Sequence, residues 1–206
     1  MENKWEEFAK NFEQSNNYVV GIKDINRVKQ RLQQHRNLGS LLELGCGNGT
    51  YTASLVDSAD SIVATDLSQP MLEVTKIRFE HETKVVVEQA DCFALHYQDA
   101  SFDTVFMANL LHVIPNPVDA LQECMRVLKP GGQIIVVSFT LHEMSFFNKL
   151  ALKYRYIRKY GAKSASSTPM TPVLAHELTA TAGFQNVSTE MLGKRVKAVY
   201  LNAVKN

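Results

Sequence analysis

From Leu41 onward, short apolar runs recur with amphipathic segments between them. The runs are Leu41 to Leu44, Ser61 to Thr65, Val85 to Glu88, Phe102 to Met107 and Gln133 to Phe139. Runs of this length predict strands and the helical spacing between them predicts helices, so the chain reads as α/β with a doubly wound, mostly parallel sheet. Phe184 to Leu192 and Arg195 to Val204 alternate as two further strands across Gly193-Lys194. They bring the sheet to seven strands and close it with a carboxyl-terminal antiparallel hairpin.

The punctuation agrees with that layout. Ser68 is a plausible N-cap, and Pro70 falls in the first turn of the following helix, where a missing amide hydrogen costs little. A second helix is expected over Pro117 to Leu128, stopped by Lys129-Pro130-Gly131-Gly132, and a last one near Val173 to Ala182, ended by Gly183. Two regions depart from the rhythm. Trp5 to His35 is polar with scattered apolar positions, which predicts helices preceding the core, so residues 1–36 read as an amino-terminal helical lid. Leu141 to Lys163 mixes Phe146, Phe147, Leu150, Tyr154 and Ile157 with Lys149, Lys153, Arg155, Arg158 and Lys159. It reads as an inserted helix with a mobile exit loop through Ser164 to Thr168, and residues 141–172 are expected over the substrate site.

The chain has 206 residues, 45% of them hydrophobic, enough for one domain with a sheet covered on both faces. With 22 Lys and Arg against 21 Asp and Glu, no global field points to nucleic acid or an anionic membrane. Cys46, Cys92 and Cys124 lie far apart, with no spacing suited to zinc or a disulfide framework, which fits a reducing cytoplasm. Met1 to Lys10 lacks the pattern of a signal peptide, and no stretch reaches the ~18 apolar residues of a membrane span.

Chemistry concentrates at Glu43-Leu44-Gly45-Cys46-Gly47-Asn48-Gly49 and at Asp66, which ends the second apolar run. Glycines at alternate positions allow a sharp turn and let a ligand lie against bare amides, and an acid at the end of the second strand can accept from two ribose hydroxyls. An adenosine-containing cofactor is the expectation. A dinucleotide fingerprint would need glycine at position 50, where Thr50 stands.

The motifs Glu43 to Gly49, Asp66-Leu67-Ser68 with Met71, Gln89-Ala90-Asp91-Cys92, Phe102-Asp103 to His112, and Leu128 to Gly132 occur in one order. Together they resemble the class I S-adenosylmethionine-dependent methyltransferase family, especially its small-molecule branch related to ubiquinone and menaquinone methyltransferases. The resemblance covers about Leu41 to Phe139 and implies a Rossmann-like methyltransferase fold. It also implies S-adenosyl-L-methionine as cofactor and S-adenosyl-L-homocysteine as product.

On that resemblance the cofactor contacts are Glu43, Gly45, Cys46, Gly47 and Gly49, with Asp66 at the ribose. Leu67, Met71, Asp91 and Cys92 fall at the adenine, and Asn109 and Leu110 at the methionine end. Leu67 and Met71 also have a plain reading as core. Tyr18 is either a lid residue over the cofactor or an aromatic packing its helix. His112 is either a hydrogen-bonded histidine under the Pro115 turn or a general base near the methyl donor. No metal is called for, because methyl transfer needs little beyond alignment of the acceptor.

The expected partner is a small hydrophobic or aromatic molecule, with nucleic acid not expected. The insertion at 141–163 is expected either to present an ordinary solvated basic face or to touch lipid transiently. Two other functions fit the motifs less well, a cofactor-binding protein without methyl transfer and an RNA or protein methyltransferase. Asn109-Leu110-Leu111-His112 stands where nucleic-acid amino methyltransferases often carry an Asn/Asp-Pro-Pro-Tyr motif.

Overall fold

A computed structural model describes residues 11–161 and 169–206. The expected helical positions Trp5 and Phe8, and the expected exit loop Ser164 to Thr168, lie outside the described residues. Seven strands form one sheet: β1 (Ser40–Leu44), β2 (Ser61–Asp66), β3 (Val85–Gln89), β4 (Phe102–Ala108), β5 (Leu128–Thr140), β6 (Gln185–Leu192) and β7 (Lys197–Val204). Their order is β3-β2-β1-β4-β5-β7-β6. The first five run parallel, and β7 inserts antiparallel between β5 and β6. The chain reverses its winding between β1 and β4, and open sheets bind ligands at the carboxyl edge of that switch point.

Two-residue periodicity divides the core into two layers. Leu42, Leu44, Val105, Met107, Ile134, Val136, Val199 and Leu201 face one side, under Leu121 and Cys124 of α3 (Pro117–Val127) and Ala175 of α5 (Pro172–Thr181). Leu41, Phe106, Ile135, Val137, Ala198 and Tyr200 face the other, under Ile25, Val28 and Leu32 of α1 (Ile22–Leu32) and Leu72 of α2 (Gln69–Arg78). Both faces are dry, which is why the central strands read as nearly continuous apolar runs.

Three local features depart from the sequence expectation. The glycine loop leads into 3-10 turns at Thr52–Ser54 and Val56–Ser58, not a regular helix. Thr50 and Thr52 spend their hydroxyls on Asn48 and Glu43, and β-branched or hydroxyl residues favour such turns over α-helix. Lys129-Pro130-Gly131-Gly132 does not separate helix from strand. β5 already begins at Leu128, and these residues bulge out of it where the register jumps between Phe102 and Thr104 of β4. The amino-terminal helix widens into a π-helical turn at Asn17–Gly21 before α1.

The insertion forms α4 (Phe146–Tyr160), capped by Ser145, whose hydroxyl accepts from the Asn148 amide at 3.4 Å. It packs against the Asn17–Gly21 turn, and Leu152 reaches the second core layer.

Candidate functional site

The loop after β1 leaves the carboxyl edge with Gly45, Gly47 and Gly49 at φ +72°, +56° and +74°. It is held from below: the Cys46 amide donates to Thr65 O at 2.8 Å and Thr75 Oγ1 donates to Gly47 O at 2.7 Å. Asp66, the last residue of β2, accepts from the Gly47 amide at 2.9 Å through Oδ2 and from the Ser68 amide at 2.9 Å through Oδ1. An ionised carboxylate accepts about four hydrogen bonds, so this one keeps capacity for hydroxyls on its open side. Two positions of the loop differ in what surrounds them. A Cβ on Gly47 would meet nothing within 4 Å, whereas one on Gly49 would lie 2.6 Å from Phe79 Cε2. Gly49 is demanded by packing on α2, and Gly47 faces open space where a ligand can approach backbone.

Glu43 lies beneath the loop, 1% exposed, and its Oε2 accepts from Thr52 Oγ1 at 2.6 Å. It acts on the loop through Thr52 and not as an open carboxylate. Burial pushes its pKa up to about 7; the Thr52 hydrogen bond opposes that rise and the neighbouring Asp66 charge adds to it.

Asp91 and Cys92 stand just past β3. Asp91 Oδ1 accepts from the Phe93 amide at 3.0 Å, and Cys92 is buried. The segment they begin is clamped by Arg126 of α3, which donates to Leu95 O and Tyr97 O, each at 2.8 Å. Glu123 steadies that guanidinium at 2.9 and 3.0 Å and accepts from the Leu95 amide at 3.1 Å. Of the pair expected at an adenine, Leu67 is exposed beside Asp66, while Met71 is buried in α2.

At the end of β4, Asn109 adopts φ +57°. Its amide donates to Val137 O at 2.7 Å, and its Oδ1 accepts from the Phe139 amide at 2.9 Å, which locks this corner to β5. The Leu110 side chain covers Gly45, with Cδ1 3.3 Å from where a Cβ would stand. His112 Nδ1 lies 3.3 Å from the hydroxyl of buried Ser138. Burial lowers the histidine's pKa, so the ring is neutral near pH 7.

Sequence reasoning missed Tyr51. Its hydroxyl is buried and turned toward Asn109, yet closes no regular hydrogen bond. Burial holds its proton far above the ordinary phenol range, with the Asn109 side chain opposing. An orphaned donor is costly and is commonly satisfied by ligand or water. The only sequence signal was position, two residues past the last loop glycine.

Tyr18 lies on the Asn17–Gly21 turn that packs against α4. The amino-terminal segment reaches the loop's side of the sheet through Glu13, whose carboxylate pairs with Arg78. Arg78 donates in turn to Thr50 Oγ1 at 3.4 Å. Asp103 and Lys129 sit at the opposite, amino edge. There Asp103 Oδ2 accepts from Lys129 Nζ at 2.8 Å and from Ser40 Oγ at 2.7 Å. Burial works to raise the Asp103 pKa, but these donors outweigh it and hold it at about 2. Asp103 and Lys129 therefore serve the scaffold, while Gly45 to Gly49, Asp66, Asn109 and Leu110 share the carboxyl edge.

Comparison with known proteins gives a consistent set. A family profile described as a methyltransferase domain matches residues 42–136. A demethylmenaquinone methyltransferase of Lactococcus lactis is 31% identical over 200 residues, covering 86% of this chain and 79% of that protein. One from Clavibacter sepedonicus is 39% identical over 100 residues, which span 48% of this chain and only 41% of that protein. Among solved structures, a Haemonchus contortus phosphoethanolamine N-methyltransferase bound to S-adenosylhomocysteine has a TM-score of 0.73 at 15% identity. It covers 97% of this chain and 57% of its own, and shows the shared fold.

Proposed function

Because the chain belongs to the class I S-adenosylmethionine-dependent methyltransferase family, we propose that it binds S-adenosylmethionine at the β1/β4 switch point and transfers a methyl group to a small hydrophobic or aromatic molecule. The observation that carries this reading is the loop itself: open backbone at Gly47, whose amide is already oriented by the Asp66 carboxylate. The sulfonium cofactor supplies an activated methyl group, so the protein's task is to hold donor and acceptor in line.

Asp66 would take the ribose hydroxyls, and the Asp91-Cys92 turn would border the adenine. Tyr51 and the Asn109 corner would receive the amino-acid end. His112, neutral and tied to Ser138, orients the chain after β4 in this scheme, and alignment replaces a general base. Replacing it by Asn should lower stability while leaving the shape of the pH–rate profile unchanged. The relatives named demethylmenaquinone methyltransferases, together with the apolar and aromatic α4, favour a quinone-like or phenolic acceptor.

Calorimetric titration with S-adenosylmethionine, S-adenosylhomocysteine and NAD tests the site. Both sulfur nucleosides should bind, and Asp66→Ala should weaken them at least tenfold, as expected when about 1.5–3 kcal/mol of charge-assisted hydrogen bonding is lost. NAD binding without a response to either sulfur nucleoside overturns the site. Label transfer from methyl-tritiated cofactor to a panel of quinols, phenols and amines then tests the acceptor class.

A further inference from the structure

α4 buries none of its described residues. Phe146 is 73% exposed, Phe147 80%, Leu150 57% and Tyr154 61%. At ~100° per residue these four, with Ile157, fall within an arc of about 100° on one side of the helix, the width of a face that normally seeks a core. Here that face points to solvent, because Leu152 on another side is what reaches the core. Six of the fourteen large apolar side chains exposed among the described residues belong to this one helix.

The charge on α4 is as uneven as its exposure. Five of the chain's 22 Lys and Arg lie in these 15 residues, and none of its 21 Asp and Glu does. Lys149 and Lys153 border the apolar arc on one side and Arg158 on the other, all three exposed. A bare apolar ridge between cations suits the boundary of an anionic bilayer, where rings and aliphatic chains enter the acyl region and ammonium groups meet phosphates. A second copy of the chain is disfavoured as occupant, since docking face to face would press cation against cation without a carboxylate on either helix.

We propose that α4 docks this protein onto anionic lipid surfaces through the Phe146, Phe147, Leu150, Tyr154 and Ile157 ridge and its flanking lysines. The helix follows β5 from the carboxyl edge and packs on the Asn17–Gly21 turn, so docking brings the mouth of the cofactor edge to the membrane. A hydrophobic acceptor held in the bilayer would then reach the site without crossing water. That advantage rests on the proposed function, whereas lipid binding is measured without turnover and can hold or fail separately.

Co-sedimentation with vesicles of phosphatidylglycerol and phosphatidylcholine, against phosphatidylcholine alone, tests it. The full chain should partition onto the anionic vesicles at low salt and be released as salt rises. Phe146→Ser with Phe147→Ser, and separately Lys149→Glu with Lys153→Glu, should each reduce partition at least tenfold, given roughly fivefold per cation removed near a charged surface. Their urea-unfolding midpoints should not change, because these side chains pack against no core. The proposal is overturned by absent partition at low salt, by variants that bind as well as the parent, or by a dimer in sedimentation velocity that the phenylalanine substitutions dissolve.

Discussion

Tyr51 is the residue whose role depends most on what occupies the site. In the free protein its buried hydroxyl lacks a regular partner, so removing the oxygen should relieve a desolvation cost of about 1–3 kcal/mol. In the proposed complex, the same hydroxyl would donate to an anionic group of the cofactor beside Asn109. Tyr51→Phe should therefore leave the thermal midpoint of the free protein unchanged or raised, while S-adenosylhomocysteine binding weakens about tenfold. Calorimetry and thermal unfolding on the same preparation check the two arms. Loss of stability with unchanged affinity would make Tyr51 a packing residue only. The placement of Gly47, Asp66 and Asn109 at the carboxyl edge was legible because glycine alternation and polar residues at strand ends are local marks. Tyr51 was not, because an aromatic near a loop looks alike whether its oxygen is satisfied or stranded.

The amino-terminal helix and the closing hairpin are joined at the level of elements by one carboxylate. Asp24 of α1 accepts from the Lys194, Arg195 and Val196 amides at 2.9, 3.2 and 2.9 Å and pairs with Arg27, capping the β6–β7 turn from 170 residues away in sequence. Burial alone would raise the Asp24 pKa, but these donors together hold it below the ordinary value. Asp24→Ala leaves the three amides unmet and should cost about 3 kcal/mol, with Asp24→Asn recovering part of it; urea denaturation of the three proteins checks the ranking.

No periodicity announces such a contact, since an aspartate on a polar helix face reads as solvated until the hairpin arrives. The central strands β1 and β4, by contrast, were legible to within a residue because dry faces on both sides enforce unbroken apolar runs. The 3-10 turns, the π-helical turn and the β5 bulge escaped notice because each is a compromise between local preference and tertiary contact. In the bulge, Gly131 N donates to Lys205 O at 2.8 Å and Lys205 N to Gly132 O at 2.8 Å, and those bonds decide where strand begins.

For the molecule as a whole, groups with shifted titration set how stability varies with pH. Asp103 and Asp24 titrate below their ordinary value of 3.8 in the folded chain, Asp103 at about 2. The unfolded chain thus binds more protons in that range, and stability rises as pH climbs toward 3.8 and is lost as pH falls through the folded values. Asp103 is about four-tenths exposed, so its share is reduced by solvent screening. Half-buried His35 and His112 titrate below 6.5 and also add stability as pH rises toward that value.

Glu43 acts in the opposite sense. Its folded pKa of about 7 exceeds its ordinary 4.5, so the folded state holds the extra proton. Between those values stability falls with rising pH, by at most a few kcal/mol, since each tenfold change in proton affinity is worth ~1.4 kcal/mol. Because the histidine and glutamate slopes overlap, the parent alone does not separate them. Glu43→Gln keeps an acceptor for Thr52 and removes the titration. The variant should gain on the parent progressively from pH 4.5 to about 7 and hold a constant lead above that, with both proteins followed by thermal unfolding across the range. A difference independent of pH would mean that Glu43 is already ionised in the free protein and that the loop, not the carboxyl, tolerates its charge.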